Sequence, residues 1–233
     1  MLFFYDILNY GDVMKIQVLK NGPYLVTGNI PLYYMTIDRV DGDYIYINQE
    51  KILTKETYIL CRCGESKKEP FCDNKHIDID FNGSLTAPLS LNNCKFKTYE
   101  GERLLLKDFT ELCSYARHCH SKNSDIWKEV LNNNDESAIK LMNNCPSGRL
   151  ILIDKTTNKT IEPHLEPSIV LLQDPLNGCS GPIWVRGSIN VFDEDGNLYE
   201  PRNRITLCRC GSSNNKPFCD SKHVDIRFRD NKI

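Results

Sequence analysis

The chain has 233 residues, 40% hydrophobic and 26% charged, with a formal net charge of −2. That balance belongs to a folded globular protein and argues against disorder. No Lys/Arg tract stands apart from the acidic residues, which argues against a nucleic-acid or membrane-surface partner.

The N-terminal stretch MLFFYDILNY is apolar but carries Asp6 and lacks both a basic n-region and a small-residue cleavage site, so it reads poorly as a signal peptide. No later run approaches the roughly 20 apolar residues that cross a bilayer; Val170-Leu171-Leu172 stops at Gln173 and Asp174. The expectation is a soluble, cytoplasmic protein. Strand-like sequence begins at Met14, which sets 1–13 apart as an extension. Eleven cysteines are many for this length. The odd count and the lack of an export signal favour metal or redox chemistry over disulfides.

In chain order, Ile16 to Leu19, Tyr24 to Val26, Tyr44 to Ile47 and Tyr58 to Leu60 are rich in β-branched and aromatic residues and read as strands. Leu60 to Phe81 follows, LCRCGESKKEPFCDNKHIDIDF. Beyond it, Ser124 is placed to cap a helix to about Leu131 and Asp135 a second to about Met142, with Ile139 and Met142 on one face. Cys145-Pro146-Ser147-Gly148 ends the second helix. Further strands are expected at Ile169 to Leu172, Ile183 to Val185, Ile189 to Phe192 and Ile205 to Leu207, with a hairpin turn at Asp195-Gly196. Leu207 to Phe228, LCRCGSSNNKPFCDSKHVDIRF, then repeats the earlier segment without a gap. A shared GPxxVxGxI, Gly22 to Ile30 and Gly181 to Ile189, extends the repeat upstream. The organisation expected is an extension (1–13), a first module (14–82), an insert (83–160) and a second module (161–233). The fold class is α+β, with two β-rich modules around a small helical insert.

The chemistry lies in Cys61, Cys63, Cys72 and His76, spaced C-x-C-x8-C-x3-H, and in Cys208, Cys210, Cys219 and His223 at the same spacing. Thiolates suit iron–sulfur clusters or zinc, and neutral imidazole replaces a thiolate at the cost of one negative charge. The histidine lies one helical turn after the third cysteine, so the two meet on one face. Pro70 and Pro217 stiffen the return to that cysteine, and Asp73 and Asp220 sit where a helix N-terminus favours a carboxylate.

These residues resemble the CDGSH iron–sulfur family, the mitoNEET-like proteins, with signature C-x-C-x2-[ST]-x3-P-x-C-D-G-[STA]-H. Both copies match at the cysteines, at Ser66 and Ser213, at the proline, at the aspartate and at the histidine. They depart at Asn74-Lys75 and Ser221-Lys222, where the family has Gly and a small residue. Asn tolerates left-handed geometry better than Ser, so the second loop is expected to be the more strained. The lysines would disfavour histidine protonation and raise the cluster potential. The whole-chain pattern resembles longer prokaryotic members carrying two such motifs around a ferredoxin-like insert; because single-motif members pair as dimers, the resemblance implies an intrachain pseudo-twofold arrangement of the two modules.

The resemblance implies a 2Fe–2S cluster in each loop. One iron takes Cys61 and Cys63 (or Cys208 and Cys210), the other Cys72 and His76 (or Cys219 and His223). It further implies proton-coupled, acid-labile clusters in an electron or cluster carrier serving a protein redox or cluster-acceptor partner, as a monomer or homodimer. Three cysteines and a histidine also suit structural zinc, and a zinc-stabilised interaction module stays open. An oxidoreductase using the clusters at a substrate site stays open too, although no catalytic residue stands out.

The insert's Cys113, Cys119 and Cys145-Pro146 form C-x5-C…C-P, which resembles the divergent mono-cluster ferredoxin domain and offers a third iron–sulfur site. His118, His120, Cys94 and Cys179 are further candidate ligands. Against it stands the missing C-x2-C-x2-C core, and unpaired cysteines are often simply small buried hydrophobes. Trp127 and Trp184 read as packing residues, and His164 as part of an exposed linker.

Overall fold

The computed structural model describes residues 14–230 and residue 232; the extension 1–13 lies outside the described residues. The β-branched and aromatic runs fold into strands whose apolar faces fill a main core and a second cluster around Trp184. β1 (Lys15–Val18) and β2 (Tyr24–Thr27) alternate buried and half-buried residues, the period-2 signature of a strand with one face on a core. β3 (Leu32–Val40), β4 (Asp43–Ile52) and β5 (Tyr58–Leu60) complete the strands of the first copy. β3 was not expected from the sequence.

α1 (Lys75–Asp78) is the single turn after the first motif. The insert then forms its own antiparallel sheet, β6 (Lys97–Glu100), β7 (Leu104–Asp108), β8 (Leu150–Asp154) and β9 (Lys159–Ile161), in the order β6-β7-β8-β9. Between β7 and β8 lie α2 (Ile126–Leu131) and α3 (Asp135–Asn143). The expected helices are therefore present, with a sheet beneath them. Two caps shift by one residue. Asp125, rather than Ser124, accepts from Lys128 N at the start of α2, and α3 starts after Asn134 with Asp135 already in its first turn. Residues 86–89 lie outside this unit: Thr86 N and Ala87 N donate to the carbonyl of Lys216, and Glu200 N to that of Leu89, so they pack on the second copy.

The second copy supplies β10 (Ser168–Asp174), β11 (Cys179–Arg186), β12 (Asn190–Phe192) and β13 (Arg204–Leu207), then the single turn α4 (Lys222–Asp225). The turn at Asp195-Gly196 is present, closing onto a Phe192–Leu198 bridge instead of a full strand.

Pairing between the copies is reciprocal. One sheet runs β12-β1-β2-β5 and the other β13-β11-β10-β3-β4. β3 leaves the first copy to lie parallel to β10, and β12 leaves the second to lie parallel to β1. The first copy thus lends its β3–β4 hairpin, and the second its β12, to the other's sheet, and the pseudo-twofold is built from this exchange. Ile16, Leu32, Ile169 and Val191 are among the side chains that fill the shared core, each at most 1% exposed. Burying each such side chain contributes about 1.5–3 kcal/mol, so separating the copies would be costly. β10 is buried along its whole length, as expected of a central strand covered on both faces. Among the described residues no helix is long and apolar enough to cross a membrane.

Candidate metal centres

Each motif loop leaves its last strand directly and is tied by the same bonds. Cys61 N donates to the carbonyl of Pro70 (2.8 Å) and Cys72 N to that of Ile59 (3.1 Å); Cys208 N and Cys219 N repeat this with Pro217 and Thr206 (2.8 and 2.9 Å). The Glu69–Pro70 and Lys216–Pro217 peptide bonds are both cis. Ser66 Oγ donates to the carbonyl of Phe71 (2.6 Å) and Ser213 Oγ to that of Phe218 (2.7 Å). Asp73 accepts from Lys67 N and Lys75 N, which pins the two arms of the loop together; Asp220 does the same with Asn214 N and Lys222 N.

The candidate donors come together as pairs. Cys61 Sγ lies 3.6 Å from Cys63 Sγ, and Cys72 Sγ lies 3.4 Å from His76 Nδ1. In the second copy Cys208 and Cys210 are 3.6 Å apart, and Cys219 Sγ and His223 Nδ1 are 3.4 Å apart. Among the described residues no three of His, Cys, Asp and Glu are grouped to hold one metal ion. Each loop thus presents two donor pairs, with both cysteines of the first pair buried. In each Cys–Cys pair one thiol, Cys63 or Cys208, is lowered to about 7 by the hydrogen bond from its neighbour, and that neighbour is raised. Each Cys–Cys pair therefore offers a thiolate readily, as metal binding needs.

The two loops differ around the histidine. His223 is 3% exposed, and burial lowers its imidazole to about 4; His76 is only half-buried. Asn74 and Ser221 both hold left-handed backbone, φ 70° and 73°, at the position where the signature has glycine. The lysines expected to act on the histidines turn instead toward Asp78 (3.3 Å) and Asp225 (3.0 Å), which offsets their charge.

Arg62 and Arg209, each between the first two cysteines, are 1% exposed. Arg62 donates to the carbonyls of Gly22, Gly83 and Leu19. Arg209 reaches the carbonyls of Gly181 and Leu172, and its Nη1 also pairs with the buried Asp230. Only the CRC spelling common to both copies hinted at them. Their guanidinium groups fix the upstream GP segment to the ligand loop, which is why the repeat extends upstream.

In the insert, Cys113, Cys119 and Cys145 line one pocket with His118 and Arg149. Burial raises Cys119 to about 12, with Cys145 and Cys113 adding to the effect. Burial opposes the charge of Arg149, and Cys113, Asp108, Cys145 and Cys119 together outweigh it. Cys219 of the second motif is held well above the usual thiol range, first by burial and also by Cys113. Arg117, which lines the same pocket, pairs with Asp174 at the end of β10, and this ties the pocket to the second copy. Of the other candidates, Cys94 is half-buried against the main core and Cys179 is buried in β11. His120 is exposed beside Trp127. His164 is exposed and bonded to Glu166. Trp127 and Trp184 both pack, Trp127 donating to Asp108 and Trp184 stacking on Tyr46.

Residues 21–77 and 180–224 match the family described as iron-binding zinc finger CDGSH type. Residues 99–155 match the family described as divergent 4Fe-4S mono-cluster. No curated protein and no solved structure matches the chain. The chain is therefore an iron–sulfur protein in which two CDGSH-type regions flank a divergent ferredoxin-type region.

Proposed function

We propose that the chain is an electron or cluster carrier holding a 2Fe–2S group in each motif and a group of the 4Fe–4S type at Cys113, Cys119 and Cys145. The observation that carries the reading is the donor pairing, 3.6 Å between cysteines and 3.4 Å between cysteine and histidine, in both copies. Bound iron–sulfur groups supply one-electron oxidation and reduction, and a histidine in place of a thiolate makes them easier to reduce.

The protein's part is to hold and tune. Asn74 N and Ser221 N donate to the sulfurs of Cys72 and Cys219 (3.4 Å each), which stabilises the thiolates. With Nδ1 turned to the cysteine, Nε2 is the nitrogen that carries a proton. His76, half-buried, is the better placed of the two to exchange it with solvent, so acid loss should begin at the first motif. Between the insert pocket and the second motif, Arg117 makes a bidentate pair with the buried Asp174 (2.7 Å each). Both charges act on His223. The second motif and the insert thus form adjacent stations, suited to passing electrons within one chain.

The test is an anaerobic preparation analysed for iron, sulfide and visible absorption. About eight irons per chain with matching sulfide is expected. A colourless, zinc-loaded protein would support an interaction module instead.

A further inference from the structure

We infer that His118 supplies the fourth ligand of the insert site through Nε2, making it a three-cysteine, one-histidine centre; this rests on the reading of Cys113, Cys119 and Cys145 as an iron–sulfur site. His118 lines the same pocket as the three cysteines and is 2% exposed. Its Nδ1 lies 2.9 Å from the carbonyl oxygen of Tyr44. A carbonyl can only accept, so Nδ1 carries the ring proton and Nε2 holds a free lone pair. Among the described residues that Nε2 is buried without a hydrogen-bond partner.

A buried, unpartnered acceptor forfeits its hydration without compensation, so native proteins rarely leave one. A metal ion is the partner such a nitrogen suits. Ligating histidines almost always donate their other ring N–H to a carbonyl or carboxylate, and that bond fixes tautomer and ring orientation. The Tyr44 carbonyl plays this part. The ring is fixed further by Tyr46, whose centroid lies 4.0 Å away at 31°.

Competing donors are less well placed. Ser147 Oγ, 3.6 Å from Cys145 Sγ, already accepts from Arg149 N. His120 is exposed. Binding through Nε2 releases no proton, because the ring is already neutral with its proton on Nδ1. The centre would then be one negative charge less anionic than an all-thiolate site, and the ligand pattern of each motif would recur in the insert.

The test uses the full chain, purified anaerobically, with His76→Cys and His223→Cys to remove the other candidate histidine ligands. Preparations with natural and 15N-labelled histidine are reduced and examined by pulsed electron spin resonance. A strongly coupled nitrogen that changes with the label, persists in His120→Ala and is lost in His118→Ala is expected. In a chain holding about eight irons, absence of that coupling overturns the role of His118 and leaves the third centre standing. So does coupling that survives His118→Ala or disappears in His120→Ala. About four irons per chain would remove the third centre and this inference together. Should His118→Ala fail to fold, the isotope comparison with and without His120→Ala still decides.

Discussion

Gly64 of the first motif lies against Cys210 of the second: a Cβ on Gly64 would stand 2.7 Å from the Cys210 carbonyl oxygen. Gly211 meets Cys63 in the same way, and both glycines hold left-handed backbone, φ 80° and 78°. The two ligand loops are therefore packed on each other across the pseudo-twofold, each requiring a residue with no side chain.

Gly64→Ala should destabilise the protein by well over 1 kcal/mol, since left-handed backbone alone costs a side chain about 1–2 kcal/mol and the Cys210 backbone must also move. Iron should be lost from both motifs together. Thermal unfolding and iron counts check this; loss confined to the first motif would show that the loops are independent.

At the signature's glycine position the opposite substitution should help. Ser221→Gly relieves left-handed strain at φ 73° and should stabilise the loaded chain by about 0.5–1 kcal/mol, after the entropy that glycine adds to the unfolded state. Asn74→Gly, at φ 70°, should gain less than half as much, because Asn tolerates that geometry. Equal gains at both sites in denaturant titrations would argue against the strain account.

Glu69 stands where the second motif has Lys216. Its carboxyl is buried beside the Cys61 thiol. Burial, reinforced by the neighbouring Cys61, pushes its carboxyl up to about 9. The folded state therefore holds this proton more tightly than the unfolded state, whose carboxyl titrates near 4.5. Stability is full below about 4.5 and declines as pH rises toward 9. Glu69→Gln should flatten that decline. Urea midpoints at about pH 6 and pH 8.5 test it; parallel declines in the two proteins would contradict the assignment.

The buried Arg209–Asp230 pair has no counterpart at Arg62, which is held by carbonyls. Asp230→Asn leaves the Arg209 charge unpaired and should cost about 3–5 kcal/mol. It should also raise the reduction potential of the second motif more than that of the first, read by redox titration. Equal shifts at both motifs would show that the pair acts on them alike.

The eight candidate donors could be read from the sequence because cluster chemistry restricts both donor type and spacing, and the gapless repeat removed ambiguity. Strand exchange could not. β3 and β12 show the same local pattern whether they stay in their own sheet or cross to the other. The insert sheet was missed because LLLKD and LILID are short apolar runs that suit strand or buried helix equally. Arg62 and Arg209 were visible as letters, but an arginine that is 1% exposed is against expectation for its type. Ser124 and Asp125 are both good caps, and only the backbone decides between neighbours.

The central claim is that each motif holds a two-iron group through one Cys–Cys and one Cys–His pair. It is tested most directly in a chain with Cys113, Cys119 and Cys145 replaced by serine, purified anaerobically and analysed for iron, acid-labile sulfide and zinc. The account predicts about four irons and four sulfides per chain, with visible absorption and no stoichiometric zinc. About two zinc ions per chain without sulfide would contradict it.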